Sequence, residues 1–281
     1  LREQVSKLPA NQQTDLAAIL DEMEAGLSAD TLSRLSDYER LGEVNNLPID
    51  NRIALAIAGW ILGSGSGEQN LSIAISLIQV RDLIVEYLST ADAARRKAIL
   101  NELSNLEGSE AEYVDRILPL LNPVLPWPEG SLHPQIPGMF TVSTDSFQYV
   151  IQLPPEYNPL RQYPCVVALH ESRSPVETQL DWWSGAYREQ IQGRMGYGSR
   201  SGFIVIAPVW SRSDQRVYEY TPQEHQRVLT AMRDAMRRAS IDADRVFIAG
   251  HGEGGTAAWD IALAHHDLWA GMISISGTPA K

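Results

Sequence analysis

Positive charge is scarce in this sequence: 23 Lys plus Arg stand against 35 Asp plus Glu, a formal net charge of −12 over 281 residues. So acidic a surface repels a phosphate backbone, which excludes nucleic acid as an expected partner. Cysteine occurs once, at Cys165. That rules out an internal disulfide and a cysteine-based zinc site, and leaves the compartment open. Long hydrophobic runs are also missing. The longest, 53–62, falls well short of the roughly 20 residues that cross a bilayer, and the longer stretch 71–88 carries Gln79, Arg81, Asp82 and Glu86. No membrane span is expected. The chain begins at Leu1 without methionine or signal peptide and stops at Lys281 just after a predicted strand. The expectation is therefore a fragment truncated after that strand, with any targeting segment lost rather than never present.

What is present falls into two compositions. Hydrophobic residues make up 44% and charged residues 21%, as in globular domains. From 1 to 122 nearly every segment has helical period. Leu16, Ile19, Leu20, Met23 and Leu27 share a stripe, and Leu32, Leu35, Tyr38 and Leu41 mark a second helix with Asp30 as its N-cap. Further helices are predicted over 48–62, 71–88 and 91–106, and Ser109 with Glu112 reads as a capping box opening a last one to Leu121. The glycine-serine run 63–67 lacks the Walker lysine and a preceding strand, so it reads as a connection rather than a phosphate loop. With no clean repeat period, this part is expected to be an all-α bundle or solenoid-like domain.

Pro123, Pro126, Pro128, Pro134 and Pro137 then mark 123–137 as a linker, since neither a helix nor a central strand tolerates them. Beyond it strands alternate with helices. A hairpin is predicted from 140–142 and 147–153, buried strands at 165–169 and 203–207, and a helix over 182–195. Thr221, Pro222 and Glu224 form a capping box with proline at the first helical position, opening a helix to about Ala239. A mostly parallel sheet with helices on both faces follows from this alternation.

The centre of the second half is DRVFIAGHGEGGTAAWDIALAHHDLWAGMISISG, 244–277: a buried strand, a glycine-dense turn, an alanine-rich helix and another strand. With YVIQLPPEYNPLRQYPCVVALHE and GFIVIAPVW, in this order and spacing, residues 138–281 resemble the first half of an α/β-hydrolase domain. The prolyl-oligopeptidase-like and carboxylesterase- or depolymerase-like branches are the most similar. Residues 1–122 lie outside the resemblance. The fold implied is a partial α/β-hydrolase domain preceded by a helical one.

The resemblance places Gly252 at the position where G-x-S-x-G carries the nucleophile. No such motif occurs elsewhere in the sequence. The backbone N–H of Glu253 takes one oxyanion-hole position. His170 opens the oxyanion segment, and Glu171 replaces its glycine, so the second donor is implied at Glu171 or Ser172. The family's acid and histidine would follow the last predicted strand. His251 reads as a packing or pocket residue, and the Glu253 side chain is expected to turn away from the nucleophile position. Trp182, Trp183, Tyr187 and Tyr197 border the site in related folds and either line a pocket or cover the sheet. His265, His266 and Asp267 point in different directions on a helix end, so no metal site and no cofactor are expected, and His225 is read as an exposed first-turn residue without a function.

A glycine carries no nucleophilic atom. The expected function is thus a serine-hydrolase relative, of esterase or peptidase descent, silent as written and serving in binding or as a scaffold. Two alternatives stand beside it: a fragment or nucleophile-substituted form of a working ester or peptide hydrolase, and a helical protein-interaction module. The partners these readings allow are a small ester or peptide ligand, and a protein bound through the helical domain.

Overall fold

The computed structural model describes residues 1–44 and 47–278. The chain divides into two compact units, the first ending at Val124 and the second starting at Leu125.

The first unit is helical: α1 (Arg2–Val5), α2 (Ala10–Gly26), α3 (Ser36–Val44), α4 (Ile49–Leu62), α5 (Leu71–Ser89), α6 (Ala93–Leu103) and α7 (Ala111–Ile117). Its axis is α4, where every residue from Ile53 to Leu62 is buried. Each fully buried Ile or Leu there contributes about 1.5–3 kcal/mol relative to exposure. Gly59 is required by a close approach, because a Cβ would meet the Arg34 carbonyl oxygen at 2.2 Å. The helix stops at Gly63, whose φ of 80° suits glycine. Arg116 then donates to the carbonyls of Leu62, Gly63 and Ser64, while the Gly67 N–H donates to the Asp37 carboxylate at 3.3 Å. The 63–67 run is a connection held from both sides.

Three local expectations are corrected in this unit. Thr31, not Asp30, precedes the second segment, which opens as a 3-10 turn (Leu32–Leu35) before α3. The Thr31 hydroxyl takes the Ser28 N–H and donates to the Gly26 carbonyl, so it ties the preceding turn instead. Ser109 forms no capping box, because its hydroxyl donates to the Leu106 carbonyl at 2.7 Å and α7 starts after Glu110. Leu27 lies past the end of α2 and is exposed.

The second unit is a six-stranded sheet: β1 (Met139–Ser143), β2 (Gln148–Gln152), β3 (Tyr163–Leu169), β4 (Ile204–Pro208), β5 (Ile241–His251) and β6 (Gly271–Ile275), in the order β1-β2-β4-β3-β5-β6. The pairs β1–β2 and β2–β4 are antiparallel; β4–β3, β3–β5 and β5–β6 are parallel. This mostly parallel sheet, with helices around it, is the architecture that the alternation of strands and helices in the sequence implied.

Alternation along the strands sorts the two faces. Cys165, Val167, Leu169, Ile204, Ile206, Val246 and Ile248 face one side, under α10 (Pro222–Arg238) and α11 (Glu253–Ala264). Val166, Ala168, Val205, Ala207 and Ala249 face the other, where Leu180 of α8 (Glu177–Ser184) packs, with the short α9 (Tyr197–Arg200) following before β4. The expected capping box of α10 is present, with Thr221 and Glu224 each bonding the other's backbone N–H.

The proline-rich segment is fastened to this unit from Leu125 on. The Leu125 N–H donates to the Arg237 carbonyl at 2.8 Å, and Trp127 stacks on Phe140 with ring centroids 4.1 Å apart. The predicted helix over 182–195 is corrected. The helix there is α8, which ends at Gly185 with φ 87°, and the chain turns into a two-stranded ribbon pairing Tyr187 with Arg194 and Arg188 with Gly193. Gly185 and Gly196 touch backbone to backbone: a Cβ on Gly196 would meet the Gly185 nitrogen at 2.2 Å. A continuous helix would forbid that crossing.

Candidate functional site

The carboxyl ends of β3 and β5 lie side by side, with Leu169 paired to Gly250 as the last pair in register. The chain then makes two loops. After β5 it turns through Gly252 straight into α11, and after β3 it runs through His170, Glu171 and Ser172.

The turn is a sharp corner from strand to helix. Gly252 adopts φ 52° and ψ −121°, a conformation costly for any residue with a Cβ. Its N–H donates to the Ile275 carbonyl at 2.9 Å, and its carbonyl accepts the Thr256 N–H at 3.0 Å. Side chains are excluded on both flanks. A Cβ on Gly250 would meet the Gly254 carbonyl oxygen at 2.1 Å, and one on Gly254 would meet that of Leu169 at 2.4 Å.

The space above Gly252 is filled. Glu171 Oε2 lies 1.3 Å from where a Cβ on residue 252 would sit, with its Cδ at 2.5 Å and Oε1 at 3.1 Å. The carboxylate thus stands where a residue-252 side chain would begin. It also lies at the amino end of α11, the positive end of that helix dipole.

The two neighbouring histidines add lone pairs. His170 sits with Nδ1 2.9 Å from the Glu171 carbonyl, and His251 with Nδ1 3.1 Å from Gln179 Oε1. Both partners only accept, so each Nδ1 carries the hydrogen and each Nε2 a lone pair. Among the described residues neither Nε2 has a partner, and neither does the buried Ser172 hydroxyl. Burial pushes the pKa of both imidazoles down, opposed for each by the Glu171 charge and for His170 also by its hydrogen bond to the Glu171 backbone. Trp210 seals the floor: it is fully buried and donates from Nε1 to the His170 carbonyl at 2.9 Å. Among the described residues the site is rich in acceptors.

The remaining candidates fall as follows. The Glu253 side chain leaves the apex and accepts the Tyr218 N–H at 2.7 Å. Trp182 is 63% exposed and stands edge-on to His251, with centroids 4.6 Å apart. Trp183 is half-buried, packed on the α8 face of the sheet, whereas Tyr187 belongs to the ribbon and Tyr197 is exposed. The reading of His225 is corrected. Its side chain is only 16% exposed and joins a network with Tyr218, Asp260 and His265, because α10 brings its first turn alongside α11. The sequence signal available was weak: four polar residues scattered over 218–265, with no common spacing. No group of three or more His, Cys, Asp or Glu among the described residues is arranged to hold a metal ion, and no described helix is long and apolar enough to cross a membrane.

No protein-family model matches the chain. Among curated proteins it is similar to dipeptidyl-peptidase 5 of Porphyromonas gingivalis, 24% identical over 131 residues that cover 45% of this chain and 19% of that protein. Among solved structures it is similar to an acetyl xylan esterase from Aspergillus awamori, with 17% identity and a TM-score of 0.41 over 50% of this chain and 53% of the other. An S-formylglutathione hydrolase from Staphylococcus aureus gives 18% identity and a TM-score of 0.39, covering 50% and 56%. The chain spans about a fifth of the curated relative's length and about half of these two structures.

Proposed function

We propose that this chain is a serine-hydrolase-type protein that binds rather than hydrolyses, its nucleophile place taken by the carboxylate of Glu171. One observation carries the reading: Glu171 Oε2 stands 1.3 Å from the Cβ position of Gly252. Glycine offers no attacking atom. A tetrahedral intermediate places negative charge where hydrolases aim donors, and here a carboxylate occupies that neighbourhood and repels it. The polarity of the site is thereby inverted. A carboxylate whose charge acts on both unpartnered imidazoles favours a ligand that brings donors, such as an ammonium or guanidinium group, and the exposed Trp182 ring against His251 offers a cation–π surface.

The test uses the full chain. No turnover of p-nitrophenyl acetate and no labelling by a fluorophosphonate probe are expected. Phenethylamine is expected to bind more tightly than the isosteric phenethyl alcohol, and Glu171→Gln should abolish the difference. A charge-assisted hydrogen bond of about 1.5–3 kcal/mol corresponds to roughly 10–100-fold in affinity. Covalent labelling of a serine, or equal binding of amine and alcohol, sinks the reading. A mixed-anhydride adduct at Glu171, trapped with hydroxylamine after reaction with p-nitrophenyl acetate and release of p-nitrophenolate, favours a second reading, in which that carboxylate is the nucleophile.

A further inference from the structure

Away from the elbow, the loop after β4 and the helices α10 and α11 build a second cluster around a cleft of about 430 Å³. Thr221, Pro222, His225, Asp260 and His265 are among its walls. The cluster is held in a definite order of hydrogen bonds. The Tyr218 hydroxyl donates to Asp260 Oδ2 at 2.7 Å, and His225 Nε2 lies 2.9 Å from the same oxygen and 2.8 Å from the Tyr218 hydroxyl. A carboxylate accepts only, so His225 Nε2 bears the hydrogen. The Nδ1 of a neutral His225 is then a lone pair facing out of the network. His265, the residue that ends α11, brings its Nε2 to 3.2 Å from that lone pair, with the two ring planes at 66°.

Two imidazole nitrogens at this separation either share one hydrogen or hold one ion. Zinc–nitrogen bonds of about 2.0–2.1 Å set tetrahedral neighbours roughly 3.3 Å apart, close to the spacing seen. The arrangement behind His225 favours the ion. A carboxylate fixing the far N–H of a histidine is how ligating imidazoles are oriented and made more basic. We propose that His225 Nδ1 and His265 Nε2 form a two-imidazole site for a divalent transition metal, zinc, nickel or copper, with Asp260 and Tyr218 supporting His225 from behind. Both donors become lone pairs when His265 carries its hydrogen on Nδ1, a tautomer change that needs no net proton. Asp260 sits on the Nε2 side of His225 and is not a ligand. With no third protein donor among the described residues, the other coordination positions are left for water or for a donor group of a molecule bound in the cleft. Imidazole pairs select this class of metal over magnesium and calcium, which demand oxygen ligands.

The experiment titrates the full chain with nickel and zinc chloride by calorimetry and follows copper by electron paramagnetic resonance. One ion per chain is expected, with a two-nitrogen hyperfine pattern for copper and a thermal midpoint that rises with nickel. His225→Gln and His265→Gln, on different elements, should each lower affinity more than 10-fold and remove the thermal shift. Asp260→Asn should weaken binding about 10–100-fold, as loss of such an orienting partner does. His266→Gln should change nothing. Metal affinity that is unchanged in both His225→Gln and His265→Gln, or no saturable binding in the parent chain, would show that the pair is an N–H···N hydrogen bond and nothing more.

Discussion

Among the described residues His170 and His251 each have one nitrogen hydrogen-bonded and one without a partner, and burial lowers the pKa of both. The consequence for stability has a definite sign. In the unfolded chain these rings take up a proton near their ordinary value of about 6.5, whereas in the folded chain they stay neutral to lower pH. Below that value the unfolded state binds more protons, so stability is full above it and falls as pH drops toward the folded pKa values. Each ring contributes a slope of up to about 1.4 kcal/mol per pH unit in that window. Urea midpoints of the parent chain and of His251→Gln between pH 7.5 and 5 check this. The variant should show the shallower decline, and equal slopes would mean that the ring is already protonated in the fold. At this scale the sequence was only partly informative. The glycine-dense turn could be read because strained backbone demands glycine at fixed positions. The filling of its apex by Glu171 could not, since it depends on one side-chain rotamer arriving from the end of another strand.

At the scale of elements, strands and helices that carry their own periodic signal were legible, and those shaped by a distant contact were not. The continuous apolar runs of β3, β4 and β5 and the Thr221–Glu224 capping box needed nothing beyond local pattern. The segment after Trp182 misled because its apolar and aromatic residues suit a helix, while its path is set by the touching of Gly185 and Gly196, residues that meet only in the folded chain. That contact predicts the cost of closing it. Gly196→Ala would drive a Cβ to 2.2 Å from the Gly185 nitrogen and 2.4 Å from the Ser184 carbonyl carbon, against backbone that cannot swing aside. Overpacking of this kind costs typically about 1–3 kcal/mol. Gly202→Ala meets no atom within 4 Å and pays only for its φ of 72°, so it serves as the control. Chemical denaturation of both should rank Gly196→Ala as the more damaging. The reverse order would mean that the ribbon does not fold back on α8.

On the scale of the whole molecule, each unit has its own apolar core, one around α4 and one on the sheet. The only sulfhydryl belongs to the second. Cys165 lies in β3 between β4 and β5, fully buried, and burial pushes its pKa well up. Nucleophilic attack requires the thiolate, so in the native chain this sulfur is doubly protected, by access and by ionisation. The feature turns the protein into its own clock. Colour released from Ellman's reagent should appear at the rate at which the centre of the sheet opens, and should stay the same when the reagent is doubled once opening is limiting. The sites at the strand ends and between the helices can loosen without starting it. Rapid release from the undenatured protein would mean that the sheet breathes at its middle, and that the strand ends have no rigid floor beneath them.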